Sequence, residues 1–132
     1  MGKYYLTSNI SPSNPFYPSI EAKAGTGNYL SMGGGRVVAA MRLGDRSYYT
    51  FAGLELTETW RKDNSDLINN PAKLRQTLAT DHFGDWPKVS TDLITHSDGD
   101  FYVWPLYGVK AESMDWQTVS GAILIGDAAH LW

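Results

Sequence analysis

The stretch Asn28-Tyr29-Leu30-Ser31-Met32-Gly33-Gly34-Gly35-Arg36-Val37-Val38-Ala39-Ala40-Met41-Arg42-Leu43-Gly44-Asp45-Arg46-Ser47-Tyr48-Tyr49-Thr50-Phe51-Ala52-Gly53-Leu54-Glu55-Leu56 decides the fold. It holds three runs rich in β-forming residues, Asn28 to Met32, Arg36 to Leu43 and Ser47 to Leu56. Gly33-Gly34-Gly35 separates the first two and Gly44-Asp45-Arg46 the second and third. Short glycine-containing connections between such runs are hairpin signals, so the stretch predicts an antiparallel meander. Alternation along the third run places Tyr49, Phe51 and Gly53 on one face and Tyr48, Thr50, Ala52 and Leu54 on the other. In the neighbouring run, Val38, Ala40 and Arg42 oppose Val37, Ala39 and Met41. An aromatic face interrupted by a small residue suits a planar organic ligand, although for either face taken alone a core beneath helices is the favoured reading. Tyr49 and Phe51 are the candidate ligand-contacting residues.

Working outward, Tyr4 to Ile10 reads as a strand closed by the turn cluster Ser11-Pro12-Ser13-Asn14-Pro15. A short helix is expected over Ser19 to Ala24, stopped by Gly25 and Gly27. Thr57-Glu58-Thr59-Trp60 opens a polar stretch, after which Asn70-Pro71 starts a helix with proline in its first turn and Leu74 and Leu78 on one face. A second helix is expected from about Trp86 to His96, with Val89, Leu93 and Ile94 as its apolar stripe. Asp100 to Leu106 returns to strand, and Pro105 marks it as an edge or an exit from the sheet.

Composition narrows the possibilities. The chain has 132 residues, 42% hydrophobic and 13% aromatic, enough to bury the core of one ordinary domain. Its formal charge of -3 argues against a nucleic-acid module, which would carry a basic surface. With no cysteine, disulfide scaffolds, thiol catalysis and Cys-ligated metals are excluded. No apolar run approaches the ~18 residues that span a bilayer, and Met1 to Leu6 has no signal-peptide core. A cytoplasmic protein with neither nucleic-acid nor membrane partners is expected. Asn9-Ile10-Ser11 fits the glycosylation pattern, a three-residue match that carries little weight.

The end of the chain reads differently. Gly121 to Ile125 is a brief unbroken apolar run, as expected of a strand buried on both faces of a parallel sheet, and Gly126-Asp127-Ala128-Ala129-His130 follows it at once. A glycine at a strand's carboxyl end lets a ligand approach the backbone closely, and a carboxylate there can accept hydrogen bonds from a polyol chain. Asp127 could equally be a plain helix N-cap. The helix begun at Asp127 would be too short to sustain itself, so the chain reads as one cut within an element. Residues 1–118 are expected to form the sheet region, and 119–132 the start of a second unit.

The segment Ile123-Leu124-Ile125-Gly126-Asp127-Ala128-Ala129-His130-Leu131 resembles the Gly-Asp motif of class A flavoprotein monooxygenases, the p-hydroxybenzoate hydroxylase fold. Softer matches run upstream in comparable order: the Gly44-Asp45 hairpin, Leu54-Glu55-Leu56, Glu58 with Trp60, His82-Phe83-Gly84-Asp85-Trp86 and Trp104-Pro105-Leu106-Tyr107. They are similar to the tetracycline-inactivating and aromatic-hydroxylating branches. The resemblance covers roughly residues 2–132 and implies an α+β fold. This would be the substrate-binding antiparallel sheet with flanking helices, ending in one strand and the helix start of the FAD-binding α/β domain. It implies FAD as cofactor and NAD(P)H as co-substrate, with one oxygen atom of O₂ inserted into an organic, aromatic or polycyclic substrate. By carry-over Gly126, Asp127 and Ala128 would contact FAD, with Asp127 on its ribityl chain, and substrate would lie across the sheet. None of the residues is implied as a general acid or base.

Departures from the family are equally specific. The dinucleotide fingerprint is missing: Gly25-Thr26-Gly27-Asn28-Tyr29-Leu30 has leucine where the third glycine belongs, and no apolar strand precedes it. The family's Asp-Gly motif and its Pro- and Gly-rich loop are also absent, so the isolated chain is expected to bind flavin weakly and to be inactive. Two alternatives stand beside this reading: a non-enzymatic ligand-binding or interaction module, and an FAD oxidoreductase without oxygen insertion. His82 with Asp81 and Asp85 reads as a solvated surface in preference to a metal site. Trp60, Trp86, Trp104 and Trp116 are too dispersed for a stacking track, and most are expected to pack.

Overall fold

The structure is a computed structural model that describes residues 1–108, 112, 117 and 119–126. It is α+β: five antiparallel strands form one sheet, with helices between them. The strands are β1 (Gly2–Ile10), β2 (Asn28–Gly33), β3 (Arg36–Arg42), β4 (Tyr48–Leu56) and β5 (Asp98–Leu106), in the spatial order β2-β3-β4-β1-β5. The predicted meander is β2-β3-β4. Its last strand pairs along its whole length with β1, from Gly2 opposite Leu56 to Ile10 opposite Tyr48. β5 then returns from far along the chain to close the other side of β1. Pro105 accordingly lies in an edge strand, where its missing N–H costs no ladder bond.

The helices are α1 (Tyr17–Ala24), α2 (Trp60–Asp63), α3 (Ser65–Ile68), α4 (Pro71–Thr77) and α5 (Lys88–Thr95). α2 and α3 occupy the stretch that reads only as polar in the sequence. α4 begins as expected: Pro71 sits in the first turn and the Asn70 side chain accepts from the Lys73 N–H at 3.2 Å. It continues into a π turn over Leu78–His82. α5 starts two residues later than Trp86, with Pro87 as its N-cap.

These helices cover one face only. Tyr4, Leu6, Ile10, Val38, Ala40, Tyr48, Ala52, Leu54, Leu56 and Phe101 from the strands join Ile20, Leu74, Leu78, Phe83, Leu93 and Ile94 in a single buried cluster. Each fully buried aliphatic side chain there contributes about 1.5–3 kcal/mol relative to exposure. Two ties hold the layer in place. Asp98 accepts from the Ser11 N–H and the Asn14 amide, both at 2.6 Å, joining the two connections at that end of the sheet. Arg36, at the start of β3, makes a two-pronged ion pair with Asp85 (2.8 Å for each bond) and lies over the Phe83 and Trp86 rings.

One expectation is corrected. No strand forms over Gly121–Ile125: Ile123 is 86% and Ile125 74% exposed. A parallel strand needs a neighbour to take its backbone hydrogen bonds, and among the described residues none lies beside it. The helix start expected at Asp127 falls outside the described residues.

Candidate functional site

Among the described residues no helix lies on the sheet's second face, and the register fixes what lies on it. One row across the strands reads Trp104, Tyr5, Gly53, Val37, Met32. The next reads Tyr102, Thr7, Phe51, Ala39, Leu30, and a third, past a bulge in β5, reads Asp98, Asn9, Tyr49, Met41, Asn28. Tyr102, Trp104, Leu30 and Met32 are exposed and Tyr49 and Phe51 half-buried, whereas Tyr48 and Thr50, which alternate with them, are buried beneath helices. The alternation in β4 therefore separates a core face from an open one, and both nominated residues fall on the open face.

Tyr5 is the centre of this surface. Its ring lies 5.6 Å from that of Phe51, and the absence of a side chain at Gly53 lets it rest on the sheet. A Cβ at Gly53 would come within 2.5 Å of Tyr5 Cε1 and 2.6 Å of Val37 Cγ1. Trp104 is fixed at the edge by its indole N–H, which donates to Thr7 Oγ1 at 3.3 Å. Sequence reasoning missed Tyr5 and misjudged Trp104, which is 55% exposed instead of packed in a core. Alternation in β1 does put Tyr5, Thr7 and Asn9 together, but only the long-range pairing with β4 and β5 sets them beside Phe51 and Trp104. By contrast Trp60 packs edge-on against Tyr4 at 6.0 Å and Trp86 against Phe83 at 5.2 Å, as expected of packing tryptophans.

Of the residues nominated for FAD, Gly126 is described; Asp127 and Ala128 lie outside the described residues. Gly126 has φ +57° and nothing within 4 Å of where a Cβ would stand. That conformation disfavours residues other than glycine, and no strand precedes Gly126 to give it the strand-end setting that the resemblance implies.

Several charged groups elsewhere are committed to structure. Asp85 is held below the usual carboxylate range by its hydrogen bond from Arg36, and Asp45 by bonds from the Ser47 hydroxyl and N–H. Asp81 accepts from the Thr80 hydroxyl at 2.7 Å, so the two carboxylates near His82 face separate partners. On the helical side a cleft of about 500 Å³ is lined by Arg75, Gln76, Thr80, Thr95 and Ser97 among others. Its cation is spent: Arg75 donates to Ser97 Oγ and the Gly99 carbonyl and lies over the Phe101 ring. Among the described residues no group of three His, Asp or Glu side chains could hold a metal, and no helix is long and apolar enough to cross a membrane.

Comparison with known family models and with curated proteins finds no match to this chain.

Proposed function

We propose that this chain is the substrate-binding part of a cytoplasmic FAD-dependent monooxygenase of the p-hydroxybenzoate hydroxylase fold, with Gly126, Asp127 and Ala128 contributing to FAD binding. The observation that carries the reading is the open, aromatic sheet face opposite a fully helix-packed one. Contiguous apolar surface of this kind on a sheet marks a binding site, and Tyr49, Phe51, Tyr5 and Trp104 supply it. The resemblance around Gly126-Asp127 supplies the chemistry. Bound FAD would supply the oxygen chemistry, and the protein's part would be to bind, orient and shield the organic substrate from water.

The chain's own contribution follows from its geometry. The rigid sheet floor fixes the plane of the substrate, while the helical layer behind it keeps the strands in register. The test is made on the protein expressed from its complete coding sequence. It should purify with bound FAD, and with NAD(P)H it should consume oxygen and return a hydroxylated aromatic product. Asp127→Ala should lose the flavin. Protein that takes up no FAD at saturating concentration would overturn the reading, and oxygen uptake yielding only peroxide with every aromatic tried would remove oxygen insertion from it.

A further inference from the structure

The two edges of the sheet are finished differently. The β5 edge carries Asp98, Asp100 and Pro105, and its register with β1 shifts between Thr7 and Asn9. Charged side chains, proline and bulges keep a sheet edge from recruiting another strand. The β2 edge has none of them. Asn28-Tyr29-Leu30-Ser31-Met32-Gly33 contains no charged residue and no proline, and it pairs with β3 in unbroken register. Leu30 is 59% and Met32 72% exposed.

The phase of the β2-β3 hairpin fixes which backbone groups of this edge are free. Gly34 and Gly35, both at positive φ, form its two-residue loop. In such a hairpin the flanking pair, Gly33 and Arg36, exchanges hydrogen bonds, and the exchange recurs at every second pair. The far end agrees, where the Arg42 N–H donates to the Gly27 carbonyl at 3.2 Å. Tyr29, Ser31 and Gly33 therefore turn their N–H and C=O groups toward β3, and Asn28, Leu30 and Met32 turn theirs outward. Among the described residues these outward groups have no hydrogen-bond partner.

We propose that β2 is the edge to which a second copy of this chain adds, antiparallel and across a two-fold axis through Leu30. That register sets Leu30 opposite Leu30 of the partner subunit and Asn28 opposite Met32 of the partner subunit. The outward residues then each exchange both backbone hydrogen bonds with the residue facing them. The axis stands perpendicular to the sheet, so both open faces point the same way. Leu30 and Met32, which lie on that face, cover their counterparts across the seam. A two-fold contact needs a surface that complements itself, and an uncharged strand does, whereas β5 would bring its own carboxylates and proline to the seam. A foreign strand would find no charge to read on β2; another β2 matches its backbone spacing and its apolar side chains alike. The pairing leaves the open faces uncovered and stands whether or not the chain binds FAD.

The test is sedimentation equilibrium of the 132-residue chain from micromolar to about millimolar concentration, with amide hydrogen exchange read by NMR at both ends of the range. The mass should rise toward twice the 14.6 kDa of the chain, and exchange at Leu30 and Met32 should slow at least about tenfold as it does. Leu30→Lys and Leu30→Glu each set like charges against each other at the axis and should stay monomeric with an unchanged urea midpoint. Mixed together, the two variants should regain the dimer. Trp104→Lys, at the far side of the open face, should leave the dimer intact. A monomer throughout the range, a dimer that survives Leu30→Lys, or growth beyond the dimer overturns the proposal. So does loss of the dimer in Trp104→Lys, which marks face-to-face packing. Slow exchange at Leu30 and Met32 at every dilution overturns it too, since a segment of the same chain would then cover the edge.

Discussion

The two faces of the sheet are built from the same strands by the same alternation, yet they do different work. On the helical side Leu6, Ile20, Leu74, Leu78 and Phe83 are completely buried, as a close-packed core requires. On the open side Tyr102 (69% exposed), Trp104 and Met32 retain contact with water. A face that contributes so little burial to folding is free to serve a ligand. The difference teaches that, within the sheet, exposure of aromatic residues follows from the layer arrangement.

The comparison can be broken most severely by cutting a methyl-rich side chain from the core. Leu6→Ala should cost about 2–5 kcal/mol, read as a drop in urea midpoint at unchanged slope. Gly53→Ala comes next. The added Cβ has no room beside Tyr5 and Val37, so about 1–3 kcal/mol of overpacking strain is expected, with the Tyr5 ring lifted off the sheet and its NMR contacts to Val37 weakened. Phe51→Ala should cost less than Leu6→Ala because its ring is half-buried, and its main effect should be on aromatic-ligand binding.

The smallest effect concerns acid. In the folded chain Asp85 and Asp45 titrate below their ordinary range, the first because Arg36 donates to it and the second because Ser47 does. A depressed carboxylate adds stability that is complete above its unfolded pKa of about 4 and disappears as pH falls through the folded value. Both groups are solvent-facing, so the contribution is slight. Asp85→Asn should lower the urea midpoint modestly at pH 7 and make no difference once the acid limb is passed. No Asp85→Asn effect at pH 7 would show that Arg36 acts through its ring contacts alone.

Much of this was legible in local sequence. The glycine-containing connections after Met32 and Leu43 specified the β2-β3-β4 meander, since hairpins depend on neighbours in the chain. Asn70-Pro71 marked the start of α4 for a similarly local reason. Alternation separated Tyr49 and Phe51 from Tyr48 and Thr50, but it could not say which face the helices cover, because that depends on where α4 and α5 return. The placement of β1 between β4 and β5 was hidden for the same reason: Thr7 and Tyr102 pair across almost the whole chain. Gly121–Ile125 misled because an unbroken apolar run signals burial by composition alone, whereas a strand also requires a partner for its backbone. Trp104 misled because an indole in a strand is usually packed, and only its edge position leaves it in water.

The division of labour between the faces is tested most directly by measuring Leu6→Ala and Phe51→Ala side by side, each for urea stability and for 2-naphthol affinity under conditions where both remain folded. The account predicts crossed losses: Leu6→Ala forfeits stability and keeps its affinity, and Phe51→Ala forfeits affinity and keeps most of its stability. Parallel losses in both quantities for both variants would contradict it.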